Sequence, residues 1–297
     1  MIRREISKEE ICHITKDQEL FPQKLLPYPG MPDELYFAGS LPDPSLPSAA
    51  IVGSRMCSPY GRIQAFSFAK VLSENGVQVI SGMAAGIDSE SHKGALEGKT
   101  PTFAVLGCGV DICYPKSSRP LRDRILRQKG GILSEFPPGS EPLNWHFPIR
   151  NRIISALADL ILVVEARNKS GSLITASYAL EQGKTVYAVP GPINDPLCQG
   201  TNRLIFDGAG VALSPDVLLS ELGITGTDRT GKHNCKEDSR LDETAVRLLK
   251  LIGNGIADAD SLAGQTGLSV QEISSCLMML VMDGRLRQVD GCRYIRP

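Results

Sequence analysis

The chain has 297 residues, 42% of them hydrophobic, which is enough for one large core and a small second domain. With 32 Lys and Arg against 33 Asp and Glu the net charge is -1, so no global field recruits nucleic acid and any anion site is local. The polar, charged start from Met1 to Glu10 lacks the apolar run of a signal peptide, and no stretch approaches the roughly 20 apolar residues of a bilayer span, which together read as cytoplasmic with no membrane partner.

Residues 1–48 are Pro-rich and read as an irregular N-terminal extension with one strand candidate at Glu34–Gly39. From 49 to 222 strand and helix patterns alternate. Strands are expected near 49–54, 77–82, 101–107, 131–136, 160–166, 185–190 and 210–213. Between them helices are expected near 58–75, 88–97, 117–128, 147–158, 171–182 and 200–207. Short apolar runs alternating with helices imply right-handed crossovers and an α/β fold, an extended Rossmann-like doubly wound sheet. Gly130-Gly131 and Gly183 fall where helices stop.

Residues 223–240 are polar without an apolar stripe and read as a linker. In 241–297, Ala245, Leu248, Leu249 and Ile252 share one helix face, a second helix opens at Ser261, and Ser269 to Glu272 carries a capping box. Two Asp-Gly turns, Asp283-Gly284 and Asp290-Gly291, then frame a hairpin, so this stretch reads as a small winged-helix domain. Its recognition helix, near Val270 to Asp283, has no Lys or Arg and carries Met278, Met279 and Met282. A helix without positive charge forfeits the phosphate attraction that dominates DNA affinity, which favours a protein-contact or structural role. Arg285, Arg287, Arg293 and Arg296 keep a wing-mediated DNA contact open.

The chemistry concentrates at strand ends. Hydrophobic runs reach Gly/Ser-rich turns at Gly53-Ser54-Arg55, at Ser81-Gly82 through Asp88, at Gly107-Cys108-Gly109 and at Lys169-Ser170-Gly171-Ser172. Glycine permits close backbone approach, and the amides of the following helix favour anions. Arg55 can grip a phosphate by two parallel bonds, although a surface ion pair explains it too. The densest cluster is Asn144-Trp145-His146-Phe147 followed by Arg150-Asn151-Arg152. Arginine beside aromatics suits unpaired bases, whereas Trp145 and Phe147 as core and Arg152 paired with Glu165 is the bland alternative. Arg150 and Arg152 point about 200° apart on a helix, so one can face a ligand while the other packs inward. The eight cysteines include no Cys-x-x-Cys pair and the four histidines give no ligand set, so neither metal nor cofactor is expected.

These motifs resemble the DNA-processing protein A family (DprA, also called Smf). The resemblance rests on Ser81 to Asp88, Phe147-Pro148 through Ser155, Glu165-Ala166 through Ala176, Ala188 to Gly191 and Gly200 to Ile205, in order over about 25–220. It implies a non-catalytic single-stranded DNA-binding protein that shields incoming strands and helps load the recombinase RecA during natural transformation. It also implies a homodimer built through the Rossmann-like domain, and a strand gripped by Arg55 and by Asn144 to Phe147. Two departures stand out: 48 irregular residues cannot hold the helix-hairpin-helix or SAM-like domain many members carry, and Ala156 and Ala158 replace a usual Gly-Leu-Ser pattern. Asn144 stands where a basic residue can contribute to the grip. The rival class is an enzyme hydrolysing a nucleotide N-glycosidic bond, or a nucleotide sensor. Its Pro-Gly-Gly-x-Gly-Thr loop is absent, and Asp88 and Glu165 read as a helix N-cap and an arginine partner.

Overall fold

The structure is a computed structural model describing residues 11–224, 243–253, 258–282, 285–289 and 293–295. Most of the expected linker, both Asp-Gly turns and Arg296 lie outside the described residues. The chain divides into two units, Met1–Gly226 and Thr227–Pro297.

In the first unit the strands are β1 (Cys12–Thr15), β2 (Glu34–Gly39), β3 (Ser48–Val52), β4 (Gln78–Ser81), β5 (Thr102–Val105), β6 (Gly131–Ser134), β7 (Leu160–Val163), β8 (Thr185–Ala188) and β9 (Gly210–Val211). The helices are α1 (Pro59–Glu74), α2 (Ile87–Ala95), α3 (Arg119–Arg127), α4 (His146–Leu157), α5 (Gly171–Glu181), α6 (Gln199–Phe206) and α7 (Pro215–Glu221). Among the described residues the strands form one sheet in the order β1-β2-β6-β5-β4-β3-β7-β8-β9. From β6 to β9 every neighbouring pair is parallel. Every residue of β3, β4, β5, β6 and β7 is buried, because helices cover both faces. Alternation splits each central strand between two cores. Ala50, Val52, Ile161 and Val163 face one side, and Ala49, Ile51, Leu160 and Leu162 face the other.

The N-terminal segment is not an irregular extension. Strand β2 pairs antiparallel with β6, and β1 pairs antiparallel with β2, so both lengthen the sheet. Ile14, Phe21, Leu25 and Leu35 join the same core as Ile153 and Ile161. Helix α7 also lies beyond the helix positions expected from the sequence, and its Leu218 and Leu219 close the opposite core.

The second unit has α8 (Glu243–Gly253), α9 (Ala259–Thr266), α10 (Val270–Met282) and an antiparallel pair, β10 (Arg287–Val289) with β11 (Arg293–Ile295). Its core joins Leu248, Ile252, Leu262, Ile273, Leu277 and Leu286. The capping box forms: Glu272 N–H donates to Ser269 Oγ at 3.3 Å and Ser269 N–H to Glu272 Oε2 at 2.9 Å. Met278 and Met279 are exposed on α10.

In the large sheet, β3 lies between β4 and β7, and strand order reverses there. In open α/β sheets the ligand crevice lies outside the carboxyl ends of the strands at such a point.

Candidate nucleic-acid interface

The loops that close on this crevice start at Gly53. A Cβ there would lie 2.7 Å from Ile87 Cγ1 and 3.0 Å from the Glu165 carbonyl, so only glycine lets β3 end this close to its neighbours. Ser54 accepts the Ile87 N–H on its carbonyl at 3.2 Å, and its hydroxyl accepts the Met56 N–H at 3.2 Å. Arg55 between them is exposed. Its guanidinium sits 5.0 Å from the centre of the Phe147 ring, within cation–π range.

At this edge the start of α1 and the loop before α2 are each already filled by one of the chain's own carboxylates. Glu165, fully buried, accepts the Ser58 N–H at 2.9 Å and the Ser58 hydroxyl at 2.5 Å at the start of α1. It therefore does not pair with Arg152, which instead donates to Glu135 at 2.6 Å. Glu135 directly follows β6 and lies outside the motif that carries Arg152. Asp88 accepts the N–H groups of Gly82 at 3.2 Å and Ala84 at 3.4 Å. It is the second residue of α2, two places past the N-cap Gly86, so the N-cap reading of Asp88 is corrected. Met83, held at φ 55, bends this loop so that both amides reach the carboxylate. Burial pushes the Asp88 carboxyl up, and Arg150 opposes that shift.

The N-terminus of α5 is different. Ser170 caps it, with its hydroxyl 2.7 Å from Ser172 Oγ, and no acidic residue lies in its first turn. Arg167 and Lys169 stand exposed just before it. A cleft of about 420 Å³ joins this helix end to Arg55, Asn144, Phe147 and Arg150. Cations beside an acid-free helix N-terminus, with an aromatic ring lining the same cleft, can hold a phosphate and stack a base.

The other expected site residues divide clearly. Asn144 and Trp145 are exposed, and Phe147 is half-buried at the cleft. His146 is buried, its Nδ1 3.1 Å from the Gly107 carbonyl and its ring stacked 3.8 Å from Phe136. Ser81 is buried and donates to the Ile51 carbonyl at 2.6 Å, which points it into the sheet rather than the cleft. Gly82 packs against Arg150: a Cβ would sit 2.6 Å from the guanidinium. Arg150 is 4% exposed and donates to the carbonyls of Gly82 and Val105. Burial brings its pKa down to about 10, which leaves it cationic at neutral pH. Asn151 donates to the Gly171 carbonyl at 3.2 Å. Sequence reasoning missed Arg167, Met56 and Tyr114. A second basic residue two places from Lys169 was a usable signal for Arg167. Tyr114, whose ring lies 5.5 Å from Phe147, had none, because the loop after β5 delivers it from a distant part of the chain.

Taken together, a Rossmann-type sheet, an acid-free helix N-terminus beside cations and an aromatic ring, and a winged-helix unit define an α/β protein with a cleft suited to a polyanion bearing planar groups. The chain belongs to the DNA recombination-mediator protein A family. Residues 12–223 match that family and residues 236–291 match the DprA winged helix domain. It is 37% identical over 287 residues to Protein Smf of Escherichia coli, covering 95% of this chain and 76% of that protein. With the DNA processing protein DprA of Streptococcus pneumoniae it shares 42% identity over 222 residues, 71% of this chain and 77% of that one. The X-ray structure of the S. pneumoniae protein superposes with a TM-score of 0.68 at 38% identity, over 72% of this chain and 75% of that chain. DNA processing protein A from Helicobacter pylori, solved to describe its single-stranded DNA binding mode, gives 0.62 at 28% identity, over 71% and 95%.

Proposed function

We propose that the cleft binds single-stranded DNA, with Arg55, Arg167 and Lys169 on phosphates, the α5 amides on one phosphate, and Phe147 and Trp145 stacking on bases. The observation that carries this reading is the Arg55–Phe147 pair in the cleft, together with the acid-free N-terminus of α5 beside Arg167 and Lys169. A duplex hides its base faces, whereas a single strand offers one at every nucleotide. The single-strand binding described for the H. pylori relative supports the same assignment.

The chain then works in DNA processing during natural transformation, in the cytoplasm, where it shields incoming strands, helps load RecA and acts as a homodimer through the Rossmann-like unit. Among the described residues no helix is long and apolar enough to cross a membrane, and no group of His, Cys, Asp and Glu could hold a metal ion. A non-catalytic role is supported by the carboxylates themselves. Asp88 is spent on loop amides and Glu165 on Ser58, so neither is presented as a general acid or base.

Titrating labelled single-stranded and duplex oligonucleotides of equal length at two salt concentrations tests the reading. Single strands should bind more tightly, with a log–log salt slope of about -0.7 per phosphate neutralised. Equal affinity for duplex would remove the reading. Incubation with nucleoside monophosphates should release no free base. Light scattering and RecA filament assembly on strands pre-bound by the chain test the dimer and the loading role.

A further inference from the structure

Arg150 and Asn151 are adjacent on α4, yet their side chains reach opposite sides of the point where strand order reverses. Arg150 donates to the carbonyl of Gly82 at 2.9 Å and to that of Val105, closing the ends of β4 and β5. Asn151 donates from Nδ2 to the carbonyl of Gly171, the first residue of α5, which follows β7. Arg150 Nε in turn donates to Asn151 Oδ1 at 3.2 Å. A guanidinium can only donate, so this bond fixes which end of the amide is oxygen and leaves Nδ2 for Gly171. Asn151 is 9% exposed, and its amide makes both contacts inside the wall of the cleft.

At their far ends α4 and α5 are tied separately. Ser155 donates to Gln182 Oε1 at 2.6 Å, and Gln182 Nε2 donates to the Arg152 carbonyl at 3.1 Å. Between the two ties the helices meet through apolar side chains such as Ile154 and Ala176, which resist separation but not sliding. The separation of a phosphate from its base is set by covalent geometry. A site that holds both needs its phosphate donors and its ring at a fixed spacing.

We infer that Asn151 is a positioning residue: it locks the N-terminus of α5 to α4, and so sets the distance from the phosphate donors at Lys169–Ser172 to the ring of Phe147. The inference rests on reading the cleft as a single-strand site. It assigns no direct contact with DNA to Asn151.

A mutant cycle on the full chain tests it, with a labelled oligothymidine as probe. Asn151→Ala should weaken binding about five- to tenfold with an unchanged circular dichroism spectrum. Asn151→Asp keeps the volume and the acceptor for Arg150 but sets an oxygen against the Gly171 carbonyl, and should weaken binding as much. The diagnostic readout is coupling. Lys169→Ala should cost at least threefold less in the Asn151→Ala background than in the wild type, because Lys169 travels with α5. Trp145→Ala should cost the same in both, because Trp145 travels with α4. Wild-type affinity in both Asn151 variants, or equal Lys169→Ala costs in the two backgrounds, would overturn the positioning role while leaving the strand site intact. If the wild-type chain itself fails to bind the probe, the strand reading falls and this inference with it.

Discussion

Arg150 shows how tightly one side chain constrains its surroundings. It is a buried cation whose hydrogens go to backbone carbonyls, and the room for it exists because position 82 has no Cβ. Gly82→Ala should therefore push a charged group off its partners, and a loss of about 3–5 kcal/mol in a urea titration is expected, the scale for breaking a buried ionic network. The two arginines of the motif were expected to split, one toward ligand and one inward. Both are instead committed to the protein, Arg150 to carbonyls and Arg152 to Glu135. Arg55 is the contrasting case, exposed and touching only the Phe147 ring among the contacts described. Arg55→Ala should weaken single-strand binding by roughly 1–3 kcal/mol, on the scale of charge-assisted bonds, with an unchanged thermal melt. A matching loss of stability would give Arg55 a structural role.

Helix α2 is held to β5 by His92, and this sets a pH response. Thr102 Oγ1 donates to the Val79 carbonyl at 2.7 Å, so at its 2.7 Å contact with His92 it accepts from Nδ1–H. Burial lowers the His92 pKa to about 3. Between the unfolded value near 6.5 and that figure, the unfolded chain takes up a proton that the native state refuses. This contribution to stability is complete above pH 6.5 and falls by about 1.4 kcal/mol per unit below it. The raised Asp88 carboxyl acts with opposite sign, so the His92 share is read as the difference between wild type and His92→Asn in denaturant titrations at pH 7 and pH 5. The seven parallel strands could be located in the sequence because continuous apolar runs between helix patterns have one physical use, burial on both faces. Strand β1 could not: its four residues, Cys12 to Thr15, gain their meaning from β2, and β2 from β6, a pairing that no local pattern records. The same limit hid Glu135 as partner of Arg152. The sequence does not tell exposed Trp145 from buried His146 next to it, nor show that Ser81 of the second turn faces the interior while Arg55 of the first is exposed.

At the scale of the whole chain, the residues that line the proposed strand cleft all belong to the first unit. Removing residues 227–297 should leave a folded first unit whose single-strand affinity stays within about tenfold of the full chain, or 1.4 kcal/mol. The reason is that α10 contributes no Lys or Arg, while Arg55, Arg167 and Lys169 remain. A larger loss, by gel shift, would place Arg285, Arg287 or Arg293 on the strand. The carboxylate at the start of α1 has a further consequence. In dinucleotide-binding relatives of this architecture the pyrophosphate rests on the first helix of the fold. Here Glu165 occupies that seat, and because it is part of the chain it can be neither diluted nor displaced by abundant nicotinamide or flavin coenzymes. NAD should accordingly find no seat at α1, so any competition with the strand at a roughly thousandfold excess should run through the cations before α5 and disappear in an Arg167→Ala, Lys169→Ala variant in a displacement assay.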